Sequence, residues 1–169
     1  MTIAGFRSQN HPQQTGKRGA IDHVDDRETH PEVFDPLNAR FHLTLDAAAA
    51  PHNAKCARYF TLNENGLTQS WAGERVWCNP PYSDIRPWVQ KAWDEWPEPE
   101  LIVMLLPANR AEQAWWQDLV EPHRDRADSP LRVEFLRGRM RFIRPNAVID
   151  PRGDRPPFGC CLLIWGKNS

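Results

Sequence analysis

The sequence lacks a strong charge of either sign, because 21 Lys and Arg residues balance 22 Asp and Glu residues and leave a formal net charge of −1. This balance excludes a polycation that holds nucleic acid by overall charge, so any contact with a polyanion requires a local basic patch. No apolar run approaches the length that spans a membrane, and no signal peptide is evident. We therefore expect a cytoplasmic protein with no membrane partner.

The four cysteines lack the paired C-x-x-C spacing of zinc sites and redox centres. This spacing predicts reduced, buried thiols, with neither a disulfide framework nor a metal site. The length of 169 residues predicts one compact domain with its own core. Residues 1–27 are polar and aperiodic, which predicts a flexible N-terminal arm ahead of a domain over residues 28–169.

Glycine is missing from residues 42–59, where a strand-like run ends at Asp46 and four alanines follow. A carboxylate at the end of a strand, next to small residues, is where an open α/β sheet places a cofactor. Without glycine the segment lacks the phosphate-binding turn of a dinucleotide site. S-adenosylmethionine is cationic and carries no phosphate, so Asp46, Ala47 and Ala48 are candidate residues for binding that cofactor. A helix cap is the alternative role for Asp46.

The stretch Val76–Tyr82 is an apolar strand that ends in an amide, two prolines and an aromatic ring. Enzymes that methylate an amino group conjugated to a ring must overcome the delocalisation of its lone pair. The Asn79 side-chain oxygen and the Pro80 carbonyl can accept the two amine protons, and Pro81 restricts Pro80 to an extended conformation. Tyr82 offers a flat face to an extruded base. These four residues are candidate catalytic residues, and a Pro-Pro turn after a buried strand is the alternative.

Apolar periodicity predicts helices and strands that alternate through the middle of the chain and strands that cluster at its end. In chain order, the predicted elements are a short helix within residues 30–41, a strand over 41–45, a brief helix over 53–60, a strand over 75–78, a helix capped by Ser83 or Asp84, a strand over 101–106, a helix over 111–120, a strand over 132–136, a hairpin or bulged segment over 138–143, and a strand over 158–165. This order predicts an α/β sheet, mostly parallel, with an antiparallel edge or hairpin near the C-terminus.

Basic residues concentrate between residues 132 and 155, where seven arginines and three acids give a net charge of +4. Arg137, Arg139 and Arg141 stand at alternate positions, so an extended chain would line them along one face. Three guanidinium groups in a row suit a phosphate backbone, and these arginines are candidate DNA-binding residues. The alternative is a solvated strand face that pairs with local acids.

In their order along the chain, these motifs resemble the phage-type DNA adenine-N6 methyltransferase family over about residues 30–165. The resemblance rests on FHLTLDAAA at 41–49, NAKC at 53–56, YFT at 59–61, GL at 66–67, Trp71, VWCNPPY at 76–82, LLPA at 105–108 and FLRGRMRF at 135–142. It implies a Rossmann-like class I methyltransferase fold, S-adenosylmethionine as donor, adenine in double-stranded DNA as acceptor, and the cytoplasm of a bacterial or phage-infected cell as location.

The resemblance also implies that the segment around Pro31 lies beside the cofactor, as does Asn79. Members of the family commonly carry Thr-Pro where this chain has His30-Pro31. This departure predicts that a polar contact near the cofactor differs or is absent.

The motif around Asn79 leaves other acceptors open. The N4 amine of cytosine poses the same chemical problem, and so does the side-chain amide of glutamine in translation factors. The enzymes that methylate glutamine usually carry a glycine-rich cofactor loop, which this chain lacks. A non-catalytic DNA-binding relative is a further alternative. The length leaves no room for a separate target-recognition domain and is compatible with a monomer or a homodimer.

Overall fold

The computed structural model describes residues 28–140, 142–143 and 158–167. The arm predicted for residues 1–27, the loop over 144–157 and Arg141 lie outside the described residues. The described helices and strands, in chain order, are β1 (Glu28–Thr29), α1 (Pro31–Phe41), β2 (Leu45–Asp46), β3 (Arg58–Tyr59), β4 (Arg75–Cys78), α2 (Arg86–Glu95), β5 (Leu101–Pro107), α3 (Ala114–Leu119), β6 (Leu131–Phe135), β7 (Phe142–Ile143) and β8 (Cys160–Gly166).

The main sheet has six strands in the order β3-β2-β4-β5-β8-β6. Strands β3, β2, β4 and β5 run parallel to one another. Strand β8 is antiparallel to β5 on one side and to β6 on the other, so β6 runs in the same direction as the first four strands. The mostly parallel α/β sheet predicted from the sequence is confirmed, and the reversed strand lies inside the sheet, with β6 at its edge.

Helices cover both faces of this sheet. On one face, α2 and α3 bury Trp88, Val89 and Trp116 against β4, β5 and β8. On the other face, α1 buries Phe34 and Phe41. The apolar residues of β5 alternate between the two cores, and all seven of its residues are buried. The strand predicted over 101–106 is therefore covered on both sides, which accounts for its continuous apolar sequence.

Helix α1 begins at Pro31 because His30 and the proline together satisfy its first turn. The Nδ1 atom of His30 accepts a hydrogen bond from the Glu32 N–H at 3.2 Å, and the proline at the first helical position has no N–H to satisfy. The helix ends where His42 takes a left-handed conformation with φ 50° and donates its N–H to the Asn38 carbonyl. The strand predicted over 41–45 is therefore wrong at its start, and β2 comprises only residues 45 and 46.

Three other predicted elements differ in extent or type. Residues 53–60 form turns and the short strand β3 in place of a helix, because the Asp46 carboxylate accepts the Lys55 N–H and the loop folds back along β2. Helix α2 has Ile85 as its N-cap residue with no side-chain cap, so the predicted caps at Ser83 and Asp84 are wrong. Helix α3 covers six residues, fewer than predicted.

Strand β7 pairs with β1, not with β6 as a C-terminal hairpin would require. The two strands are antiparallel, with Glu28 opposite Ile143 and Thr29 opposite Phe142. The sequence-based hairpin over 138–143 is therefore wrong. Gly138, with φ 77°, turns the chain away from β6 instead, in a conformation that favours glycine.

The order of the parallel strands creates a switch point between β2 and β4. From β2 the chain moves outward to β3, and it then crosses back to form β4 on the opposite side of β2. In open α/β sheets, ligands bind in the crevice beyond the carboxyl ends of two strands related in this way. Asp46 ends β2 opposite Trp77 of β4, and Asn79 follows two residues later, so both lie at that edge.

Two fully buried tryptophans differ in how their indole N–H is satisfied. Trp71 donates to the Gly66 carbonyl at 3.1 Å, whereas the N–H of Trp165 meets no acceptor in the described part of the chain. We expect Trp71→Phe to lower the free energy of unfolding by about 1–3 kcal/mol more than Trp165→Phe, because only the first change strands a buried partner. Urea denaturation of both variants measures the difference, and equal decreases would contradict the assignment.

Candidate active site

The four residues of the predicted catalytic motif form the turn that follows β4. Pro80 is buried and Asn79 is half-buried at the edge of the sheet. The turn is held from outside the motif, because Arg110 donates from Nη1 to the Tyr82 carbonyl at 2.7 Å. Pro81 accepts the Asp84 N–H at its carbonyl, which closes the turn before α2. The motif thus leaves β4 in a fixed direction.

The Asn79 side chain is oriented by a residue from the start of the described chain. Its Nδ2 atom donates to the Thr29 hydroxyl at 3.3 Å, and Thr29 is only 2% exposed. Because the amide is planar, this contact directs Oδ1 to the other side of the group. His30 caps α1 through its side chain, and the predicted change in a polar contact near the cofactor stays a prediction.

Tyr82 is anchored at its hydroxyl and flanked by aromatic rings. The hydroxyl donates to the Leu105 carbonyl at 3.3 Å, and the ring centroid lies 6.3 Å from that of Phe142 and 6.2 Å from that of Phe158. Burial of the hydroxyl raises its pKa well above the usual value, although part of the ring is exposed. The phenol therefore stays neutral. Stacking of a base on its face stays a prediction.

Asp46 is a carboxylate that is 3% exposed at the end of β2. Its two oxygens accept N–H groups of the following loop, from Ala48 at 3.3 Å and from Lys55 at 3.0 Å. Burial raises the pKa of Asp46 to about 6, and these two hydrogen bonds and the Lys55 charge oppose the rise. No helix directly follows Asp46 in the described chain, so the alternative role of a helix cap is wrong; the carboxylate instead binds loop N–H groups, and each of its oxygens retains capacity for a further donor.

The loop after Asp46 is shaped by close contact with Gly66. Ala47 is buried, and a Cβ atom added to Gly66 would lie 2.0 Å from the Ala47 carbonyl oxygen. No side chain fits at that distance, so glycine is required where the two backbones meet. Trp71 holds the Gly66 carbonyl from the other side. The backbone of Ala47, one of the small residues predicted for a cofactor site, is therefore held by its contact with Gly66.

Strand β1 contacts both the loop that follows Asp46 and the motif that follows β4. Glu28 pairs with the largely buried Lys55 at 2.6 Å, and the Lys55 N–H binds Asp46. Thr29, next in the strand, contacts Asn79. Sequence reasoning missed Glu28, Thr29 and Arg110, since no motif or periodicity marks them and their partners are distant in sequence. Pro31 follows two residues after Thr29 and is exposed at the start of α1.

Two of the predicted DNA-binding arginines, Arg137 and Arg139, are exposed but do not line a strand. Strand β6 ends at Phe135, and Gly138 turns the chain between Arg137 and Arg139, so the predicted single extended face is wrong; Arg141 lies outside the described residues. A groove of about 460 Å³ separates this segment from α1. Its lining residues are His30, Glu32, Val33, Pro36, Leu37, Leu136, Arg137, Arg139 and Met140.

The described ranges 28–140, 142–143 and 158–167 contain no group of three or more His, Cys, Asp or Glu residues arranged to hold a metal ion. None of the helices found there has the length and apolar character needed to cross a membrane. The four cysteines, all of them within these ranges, are free thiols, and burial raises the pKa of Cys56, Cys160 and Cys161 to about 12.

Comparison with known proteins gives consistent matches. A family model described as DNA N-6-adenine-methyltransferase (Dam) matches residues 19–167. A DNA N-6-adenine-methyltransferase of Escherichia phage T1 is 36% identical over 89 residues, 52% of this chain and 37% of that protein. Another of the same description, from Haemophilus phage HP1 (strain HP1c1), is 44% identical over 48 residues, 28% of each chain. The aligned parts thus span about a third of the length of these relatives.

The pKa of Asp46 predicts a pH dependence of stability. Because the folded-state pKa of about 6 exceeds the usual 3.8, the native state binds this proton more tightly, and stability falls as pH rises from about 4 to 6. Asp46→Asn removes this decrease. Relative to the parent, the unfolding free energy of the variant should therefore rise by up to about 3 kcal/mol between pH 4 and 7.

Urea denaturation at stepped pH measures this difference between variant and parent. Asp128→Asn is the control, since the Asp128 side chain is 79% exposed, and its pH curve should run parallel to that of the parent. A parallel curve for Asp46→Asn as well would contradict the raised pKa.

Proposed function

The chain belongs to the family of DNA N-6-adenine-methyltransferases (Dam), and on that premise we propose that it transfers a methyl group from S-adenosylmethionine to the N6 amine of adenine in double-stranded DNA. One observation carries the proposal. An oriented asparagine amide, followed by two prolines and a tyrosine, lies at the end of β4, next to a buried carboxylate at the end of β2. The first group suits a planar amine, and the second suits a cationic donor.

The class I methyltransferase fold is part of the same proposal. Five parallel strands with one reversed strand, and a switch point at the edge that carries Asp46 and Asn79, support it. In open α/β sheets the crevice at such a switch point is the usual place for a ligand, and here it is the edge that carries Asp46 and Asn79.

The residues at this edge fit the proposed cofactor. When bound, S-adenosylmethionine supplies a methyl group on a positively charged sulfonium. The Asp46 carboxylate is kept in a buried position that raises its pKa, and a nearby cation would offset that unfavourable burial. Ala47 is fully buried and Ala48 is half-buried; we assign both to the wall that carries Asp46, and Pro31 and Asn79 to the opposite wall.

The proposed role of the motif is to accept the two protons of the target amine. The Asn79 Oδ1 atom and the Pro80 carbonyl oxygen each accept a hydrogen bond from one N–H of the amine. These two hydrogen bonds draw the nitrogen towards tetrahedral geometry and make its lone pair available. The amine attacks while neutral and releases its proton afterwards, so no base of tuned pKa is required before transfer. Pro81 keeps the Pro80 carbonyl in place, and Tyr82 stacks on the base. Catalysis is then mainly positioning.

We assign the groove between α1 and residues 136–140 to the DNA strand that carries the target. Arg137 and Arg139 provide cationic groups for phosphates, and Arg141 is expected to join them. Both walls of the groove lie close to the motif. On the α1 wall, His30 follows Thr29, which contacts Asn79. On the other wall, Met140 lies two residues before Phe142, which packs on Tyr82. The reaction would take place in the cytoplasm of a bacterial or phage-infected cell.

Asn79→Ala should lower methyl transfer at least about 100-fold while the protein still binds the cofactor, because one of the two hydrogen-bond acceptors for the reacting amine is removed. The measurement incubates protein, DNA and methyl-labelled S-adenosylmethionine, digests the DNA and identifies the labelled nucleoside. Calorimetry measures cofactor affinity. Asn63→Ala, at an exposed turn, is the matched control and should behave as the parent.

Each outcome of the labelling experiment has a defined meaning. Label in N6-methyladenine supports the proposal. Label in cytosine would instead identify the N4 amine of cytosine as the acceptor. Label only in protein, or no affinity for S-adenosylmethionine, overturns it. Near-normal activity of Asn79→Ala would refute the role of that amide while leaving the overall activity in place.

Replacing Arg137 and Arg139 by Ala should weaken binding to DNA of any sequence and flatten its dependence on salt. Removal of one phosphate-binding guanidinium should reduce the slope of log affinity against log salt by about one. Fluorescence anisotropy with a labelled duplex at several salt concentrations measures this. Arg126→Ala, whose guanidinium pairs with Asp128 at 3.3 Å, is the control. An unchanged slope in the double variant would contradict the assignment.

A further inference from the structure

The small ladder of β1 and β7 contacts both ends of the motif that follows β4. Thr29 of β1 accepts the Asn79 amide hydrogen bond, and Phe142 of β7 packs edge-on against Tyr82 with ring planes at 87°. These two contacting residues are direct partners in the ladder. A single pair of strand residues therefore contacts the first and last residues of the motif.

The side chain of Asn79 needs such an anchor because its amide is asymmetric. Rotation by 180° about the last side-chain bond exchanges an acceptor for a donor at almost the same position. In the orientation that the structure has, Nδ2 lies at the Thr29 hydroxyl and Oδ1 on the opposite branch. The rotated amide would instead present N–H groups to a target that is itself an amine, so donors would meet donors.

The Thr29 hydroxyl is enclosed, which makes its contact with Asn79 effective. Thr29 is 2% exposed and one of three buried polar or charged residues in the described ranges 28–140, 142–143 and 158–167. Its strand is held on the other side of the site by the ion pair of Glu28 with Lys55. The hydroxyl is thus fixed relative to the Asp46 loop as well as to the motif, and little water competes for the amide.

We infer that Thr29 is a positioning residue for methyl transfer, which acts by holding the Asn79 amide with its oxygen towards the target amine. The inference rests on the proposed function for the identity of the acceptor. The hydrogen bond itself does not depend on that function. Neither the family match nor the sequence motif assigns a role to this residue, which lies outside the segments that carry the resemblance.

Thr29→Val and Thr29→Ser test the inference in the full-length protein. Valine preserves the shape and removes the hydroxyl, so single-turnover methyl transfer to DNA should fall roughly tenfold, the change expected for one hydrogen bond. The affinities for S-adenosylmethionine and for DNA should stay within about threefold. Serine restores the hydroxyl and should recover most of the rate. In an Asn79→Ala background, Thr29→Val should cause no further decrease.

A second readout does not require activity. The side-chain amide signals of Asn79 in a ¹⁵N NMR spectrum, identified by their absence in Asn79→Ala, should shift in Thr29→Val and return towards the parent position in Thr29→Ser. Thr44→Val is the matched control, because the Thr44 hydroxyl accepts the Arg75 N–H at the start of β4, away from the motif. Its effect should be confined to stability.

The outcomes separate this inference from the proposed function. A parent protein that methylates no adenine overturns the proposed function, and the NMR comparison still decides whether Thr29 holds the amide. An active parent with an equally active Thr29→Val variant overturns the inference alone. So does a decrease in rate that serine fails to restore, or one that adds in full to the decrease from Asn79→Ala.

Discussion

The parallel pairing of β2 with β4 is the contact on which the rest of the site depends. It comprises two residue pairs, Leu45 with Val76 and Asp46 with Trp77. All four residues are buried, so a shift of one position would move Leu45 and Val76 out of one core and Trp77 out of the other. The register that the cores enforce is therefore the same register that places a carboxylate beside the asparagine. Packing and chemistry are fixed by one set of contacts.

Two residues of this region, Asp46 and Gly66, each carry a cost in the stability of the folded protein. Asp46 stays buried although burial raises its pKa, and its two backbone hydrogen bonds only partly compensate. A protein selected for stability alone would favour an apolar residue there. Gly66 presents the same pattern, since it sacrifices backbone entropy so that the loop beneath Ala47 can approach closely. The close approach to Ala47 explains Gly66, and the cation of the proposed cofactor would offset the burial of Asp46.

Local features of the sequence were predictable because burial leaves a local trace. The apolar run of β5 and the apolar face of α2 can be recognised from the sequence alone, and the motif from Asn79 to Tyr82 is contiguous, so it too can be recognised without a structure. The contacts that complete the site are not local. Thr29 is 50 residues from Asn79, and Arg110 is 28 residues from Tyr82, and nothing in either neighbourhood indicates the partner.

Two errors in the predicted secondary structure have identifiable structural causes. The arginines at 137 and 139 alternate as strand residues do, but a single glycine at 138 with φ 77° removes the strand on which that argument depended. The brief helix predicted over residues 53–60 failed because the Asp46 side chain, nine residues earlier, binds the backbone N–H of Lys55. In the first case a local glycine conformation ended the strand, and in the second a side-chain contact overrode the local preference for a helix.

The ladder of β1 and β7 also has a meaning for the order in which the protein is made. Its partners Thr29 and Phe142 are separated by 113 positions, from 142 minus 29, so the ladder closes a very long loop. A nascent chain that has emerged only as far as β6 already holds both Asp46 and Asn79, yet β7, the strand opposite Thr29, is still enclosed by the ribosome. The ladder that carries Thr29 can form only after β7 emerges. It therefore forms late, after the first parallel strands of the sheet are free to pair.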